Sequence, residues 1–135
     1  MCGKKKSKKS RKTKRLDVNV PAARAAIRSF AELFIKTASA KLEIELGELQ
    51  VGFQSKRIDS SIVEQIFISD KLENGAGYAS VLATKTVIEK ILNEVLKSIK
   101  PRFEAKLHSS ECDSACPNCL RSYENRKNHG YLNWK

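Results

Sequence analysis

Apolar residues recurring at helical spacing in two long stretches, alternating apolar residues in two segments between them, and a C-terminal cluster of one histidine and three cysteines together predict an α+β fold. The expected architecture is two long amphipathic helices packed on a small β-sheet, with a short helix and a structural metal site at the C-terminal end. At 135 residues the chain has the length of one domain, enough to build a core that does not depend on a metal alone.

The first helix opens at Pro21, whose fixed φ suits the first helical position. Ile27, Phe30, Phe34, Ala38 and Leu42 then recur at helical spacing in AARAAIRSFAELFIKTASAKLEI, which predicts a long amphipathic helix running to Ile44. Gly47 breaks the pattern, and Leu49, Val51 and Phe53 alternate with Gln50, Gly52 and Gln54 as a half-buried strand requires. The segment VEQIFISD carries β-branched Val63, Ile66 and Ile68 and predicts a second strand, with QSKRIDSS between the two as a hairpin loop or short connection. Asn74, Gly75 and Gly77 mark a turn. Ile88, Ile91, Leu92, Val95 and Ile99 mark the second helix, which Pro101 is expected to end.

A glycine turn between a strand and a helix can cradle phosphate on backbone amides. Neither GxxxxGK[ST] nor GxGxxG is present, so these glycines read as turn formers. Asp70, at the end of the second strand, is the best single candidate for a functional acid, although an aspartate there ordinarily caps the turn. Glu43 with Glu45, and Glu89 with Glu94, read as solvated faces, and no GxSxG nucleophile pattern occurs.

The densest chemistry lies in LHSSECDSACPNCL, where His108, Cys112, Cys116 and Cys119 fall within twelve residues. Cys-x3-Cys-x2-Cys with a histidine before it offers four soft ligands for one tetrahedral Zn²⁺. Three thiolates and an imidazole close the shell, whereas a catalytic zinc keeps a position for water, so the expected role is structural. Ordinary thiols or a disulfide framework are the alternative reading. The N-terminus has lysines where a signal peptide needs an apolar run, which favours a reducing, cytoplasmic setting and metal binding. His129 is the competing fourth ligand, and the shorter spacing of His108 favours the latter. Pro117 is expected to start a short helix over PNCLRSYENRK, capped by Asp113 or Ser114, that sets Cys119 in its first turn and covers the site with Leu120 and Tyr123. Tyr131, Leu132 and Trp134 suggest a terminal segment folding back on the domain, and a chain ending at Lys135 just beyond a tryptophan suggests that the natural unit continues or docks elsewhere.

The formal charge of +11 is concentrated in the first fifteen residues, which hold nine of the 26 Lys and Arg and no acid; the rest carries 17 basic against 15 acidic side chains, a net of +2. Residues 1–20 are therefore expected to form a basic disordered tail and residues 21–135 the folded domain. Lys4, Lys5, Lys6, Lys8, Lys9, Arg11, Lys12, Lys14 and Arg15 are the candidate nucleic-acid contacts, binding phosphates by counterion release, with a purely solubilising tail as the alternative. No aromatic residue interleaves with them, so base stacking from the tail is not expected. Cys2 reads as a free surface thiol, and it occupies the position where a myristoylation signal needs glycine. No apolar run reaches the ~20 residues that cross a bilayer, so no membrane partner is expected.

Three separated segments, RAAIRSFAELFIKTASAKLEIELGELQVGFQ, IFISDKLENGAGYASVL and CDSACPNCLRSYENRKNHGYLNW, together resemble the MrfA-like zinc-binding domain over roughly residues 21–135. That family is found at the C-terminal end of certain superfamily 2 DNA helicases and of the helicase-associated DrmB proteins of the DISARM antiphage system. Its acidic residue and Gly-Ala-Gly turn correspond to Asp70 and Gly75 to Gly77, and its CL-x-x-Y-x-N stretch to Cys119 to Asn125. The helicase branch holds zinc with four cysteines, where this chain offers three and His108; its Leu-Asp-Trp-Arg segment reads here with Asn133 in place of the acid. This chain has no Walker A loop and no room for two motor lobes, so the resemblance implies no motor of its own. It implies a non-catalytic, DNA-binding or partner-binding accessory domain of a DNA helicase or helicase-associated complex, in DNA repair or antiviral defence, with one zinc. The competing classes are a metal-dependent hydrolase or nuclease using Asp70, His108 or His129, and an inactive fragment of a longer helicase-type protein.

Overall fold

The computed structural model describes residues 16–135, so the candidate contacts Lys4 to Arg15 and Cys2 lie outside the described residues. Helix α1 spans Pro21–Leu42. Pro21 starts it, and Glu43 ends it in the left-handed conformation at φ 55°, with the Ile44 N–H closing back on the Ser39 carbonyl at 3.0 Å. Strands β1 (Leu49–Ile58) and β2 (Ser61–Asp70) form a two-stranded antiparallel sheet in which Leu49 pairs with Asp70 and Ile58 with Ser61. Both strands run further than the alternation predicts. Most of the expected loop QSKRIDSS is ladder, and only Asp59 and Ser60 turn the chain, Asp59 taking a positive φ that aspartate tolerates. Val18, within the stretch that composition assigns to the tail, is buried and its N–H donates to the Ile62 carbonyl at 2.9 Å.

After the hairpin, Gly75 folds so close to Asp70 that a Cβ there would stand 2.6 Å from the Asp70 Cβ. Asp70 Oδ1 accepts from the Ala79 N–H at 3.2 Å, so this acid caps the short helix α2 (Tyr78–Leu82), as an aspartate entering a turn ordinarily does. Helix α3 spans Lys85–Glu94, and Pro101 does not stop the helical path. A widened π-type turn over Val95–Ile99, closed by the Lys100 N–H on the Val95 carbonyl, precedes α4 (Lys100–Glu104) and carries the helical path through Pro101. Helix α5 covers Lys106–Glu111.

Two clusters of buried side chains result. Phe34, Ile35 and Ala38 of α1 meet Leu49, Leu82 and Ile91, with Val51 and Ile68 of the hairpin packed against them. The second cluster gathers Phe103, Cys112, Ala115, Cys119, Leu120 and Leu132, with Leu33 and Trp134 at its margin. Phe30, expected on the core face of α1, is 43% exposed. Helix α1 thus stands between the two clusters, its apolar face on the hairpin side and a polar stripe on the other.

Candidate metal centre

Every ligand atom of His108, Cys112, Cys116 and Cys119 lies within 4.8 Å of the others. The Sγ of Cys119 stands 3.9 Å from that of Cys112 and 3.7 Å from that of Cys116, and Cys116 Sγ is 3.6 Å from His108 Nε2. A tetrahedral Zn²⁺ with Zn–S bonds near 2.3 Å and Zn–N bonds near 2.0 Å requires edges of about 3.8 Å between sulfurs and about 3.6 Å between sulfur and nitrogen. The observed spacings match these edges, so the four residues fit one zinc, and all three cysteines are free of disulfides.

The local backbone explains how the sulfurs converge. The expected helix over PNCLRSYENRK is absent. Residues 117–120 form a tight turn, and a 3-10 helix follows only at Arg126–Tyr131. The N–H groups of Cys119 and Arg121 both donate to the Cys116 carbonyl, at 3.1 and 3.0 Å, while the Cys116 N–H donates to Cys119 Sγ at 3.1 Å. That turn brings the sulfurs of Cys116 and Cys119 onto one side. Leu120 seals the site at 1% exposure, but Tyr123 points away and is 75% exposed.

His108 is oriented by what surrounds it. Its Nδ1 is 2.9 Å from the Phe103 carbonyl, which can only accept, so Nδ1 carries the proton and Nε2 keeps the lone pair that faces the sulfurs. The ring stacks on Phe103 at 5.3 Å and meets the Trp134 edge at 5.0 Å. His129 is held elsewhere, its Nε2 2.9 Å from both the Ser122 carbonyl and Asn125 Oδ1. The terminal segment does fold back: Trp134 donates its indole N–H to the Cys112 carbonyl and its backbone N–H to the Ser114 carbonyl, both at 2.9 Å.

The thiols divide in their acidity. Burial pushes Cys112 up to about 11, with bonds to Cys116 and Cys119 adding to the rise. Burial also works against ionising Cys116, but its interactions with the His108 ring, Cys119 and the Asn118 backbone outweigh it and bring that thiol to about 7. A bound zinc supplies the positive charge that keeps such a cluster in its thiolate form.

One set of supporting residues is not visible in the sequence. Ser29, Glu32 and Lys36, three and four apart on α1, form the polar stripe that grips the C-terminal segment. Ser29 Oγ accepts from the Asn133 N–H at 2.7 Å. Glu32 accepts from the side-chain amides of Asn125 and Asn128 at 3.0 and 3.4 Å. Lys36 Nζ donates to the carbonyls of Cys119 and Arg121 at 2.8 and 3.3 Å. Burial lowers the Lys36 pKa, and the charges of Cys119, Cys116 and Glu32 oppose that fall. Polar residues at this spacing usually mark a solvated face, so no pattern in the chain announces the contact.

An α+β domain whose C-terminal half is gathered round one histidine and three cysteines defines a zinc-binding module. The family model of the MrfA Zn-binding domain matches residues 30–120, a span that includes all four candidate ligands, and the chain belongs to that family. Druantia protein DruE from Escherichia coli (strain UMEA 4076-1) is 31% identical over 106 residues, which is 75% of this chain and 5% of that protein. The chain therefore spans only a twentieth of the length of this relative. No solved structure matches. Among the described residues, no helix is long and apolar enough to cross a membrane.

Proposed function

We propose that this chain is a non-catalytic, cytoplasmic accessory domain of a DNA helicase or helicase-associated complex, serving DNA repair or antiviral defence. One structural zinc, held by His108, Cys112, Cys116 and Cys119, fixes the C-terminal segment against α1, and the folded unit spans residues 21–135 together with Val18, which packs beside the hairpin. The basic residues Lys4 to Arg15 contact nucleic-acid phosphates, and any motor activity resides in a partner. The observation that carries this reading is the four-donor cluster: the expected ligand atoms lie within 4.8 Å of one another, and three of their separations match the edges of a zinc tetrahedron whose four positions these protein donors would fill. The small share of Druantia protein DruE that the chain matches fits a module carried within a large machine.

Metal analysis of the purified protein, paired with circular dichroism before and after chelation, tests the zinc. One zinc per chain and loss of C-terminal structure on chelation are expected, and a metal-free chain with an unchanged spectrum would overturn the reading. Salt titration of duplex DNA binding tests the arm: each phosphate neutralised contributes a slope of about −0.9, so deleting residues 1–15 flattens the dependence if the arm makes the contacts.

A further inference from the structure

A groove of about 500 Å³ lies between the start of β1 and the segment that follows the cysteines, with Glu32 and Ile35 of α1 in its floor. Three cations line it: Lys71 on one wall, Arg126 and Lys127 on the other. None of the three makes an ion pair among the described residues, whose ion pairs engage other cations. The Lys71 ammonium lies beside the bare backbone of Gly47, 3.9 Å from where a Cβ would stand. The floor carboxylate of Glu32 is 8% exposed and bound by two side-chain amides, which leaves Glu124 as the acid on the groove's wall.

Tyr123 decides the class of ligand. It too lines the groove, it is 75% exposed, and the Arg126 guanidinium sits over its ring at 4.5 Å from the centroid. A tyrosine so exposed adds little to folding. A flat aromatic and a flat guanidinium beside unpaired cations are the parts from which single-stranded nucleic-acid sites are built, bases stacking on the planes and phosphates meeting the charges. A duplex offers no free base face to such a platform.

We infer that this groove binds a single-stranded nucleic acid, with a base stacked on Tyr123 and the backbone phosphates held by Lys71, Arg126 and Lys127. The inference extends the nucleic-acid part of the proposed function from the arm to the folded domain. The arm supplies charge without aromatics, and the groove supplies the stacking that the arm lacks.

Fluorescence anisotropy of the full chain with a labelled oligothymidylate tests it. Tyr123→Ala is expected to weaken binding about tenfold, the loss of one stacked base, with the salt slope unchanged, and Tyr123→Phe to bind as the unaltered chain does. Replacing Lys71, Arg126 and Lys127 together by Gln is expected to flatten the salt slope by about 2, at about 0.7 per phosphate of a single strand. Tight binding by the unaltered chain that both variants retain would overturn the groove and leave the arm as the nucleic-acid contact. No binding by the unaltered chain would overturn groove and arm together. A polyglutamate peptide that displaces the oligonucleotide and binds Tyr123→Ala equally well would assign the groove to an acidic protein partner instead.

Discussion

The two halves of this domain solve the same packing problem with different materials. On one side of α1, a ten-residue hairpin pair and α3 enclose Phe34, Ile35, Leu49, Leu82 and Ile91, a core of hydrocarbon held by a continuous ladder and regular helices. On the other side, residues 103–135 contain only short helices and turns, and two of the six buried members of their cluster are cysteines. Apolar burial stabilises by roughly 25 cal/mol per Å², and so small a cluster with so little regular structure gains little from it. The difference teaches where the metal matters: it stands in for the core that the C-terminal half does not have.

The largest test of that contrast is to remove a ligand. On the proposed ligand set, Cys119→Ser is expected to lose the zinc and to unfold residues 103–135 while α1 and the hairpin remain, because structural zinc supplies apparent folding energies of ~10–16 kcal/mol in small modules. Amide hydrogen exchange would read this as lost protection confined to the C-terminal half. Loss of protection across the hairpin as well would show that the two halves fold as one unit.

The converse substitution addresses the hydrocarbon side. Ile91, 1% exposed at the centre of the first cluster, should cost about 2–5 kcal/mol on truncation to alanine, through lost burial and the cavity left behind. Thermal denaturation should record the loss while zinc content stays at one per chain. A variant that shed its zinc in the native state would mean that the metal site leans on this core more than the separation of the clusters implies.

What could be read in the sequence follows the same division. Helix α1 begins at the predicted proline because proline and apolar periodicity are local signals, though it closes at Leu42 rather than Ile44, and the four candidate ligands were legible as a cluster because chelation ties such spacing to geometry. The hairpin was only half legible: beyond Phe53 both faces of β1 meet solvent, so alternation fades while the ladder continues to Ile58. Two proline signals misled. Pro101 was absorbed by a widened turn, and Pro117 opens a metal-binding turn rather than a helix, since the bonds among Cys116, Cys119 and Arg121 favour bringing the sulfurs together. The polar stripe of α1 joins residues 83 to 104 positions apart, and no local pattern encodes such a pairing.

Lys36 is where the two halves are joined, and its removal is the smallest and most discriminating change. Its aliphatic stem lies in the helix that borders both clusters, and its ammonium reaches two carbonyls of the cysteine turn. With zinc bound to three thiolates the site carries a net charge of −1, which the nearby ammonium offsets. Lys36→Met keeps the length and the apolar stem but deletes the charge and both hydrogen bonds. Bonds from a charged donor are worth about 1.5–3 kcal/mol, and loss of an outer partner of a metal site typically weakens metal affinity 10- to 100-fold. Competition with a chromogenic chelator should therefore show faster zinc loss from Lys36→Met, with the hairpin's exchange protection unaltered. Equal zinc retention would place the hold of α1 on the metal half in Ser29 and Glu32 alone, and the charge of the site would then be balanced by solvent.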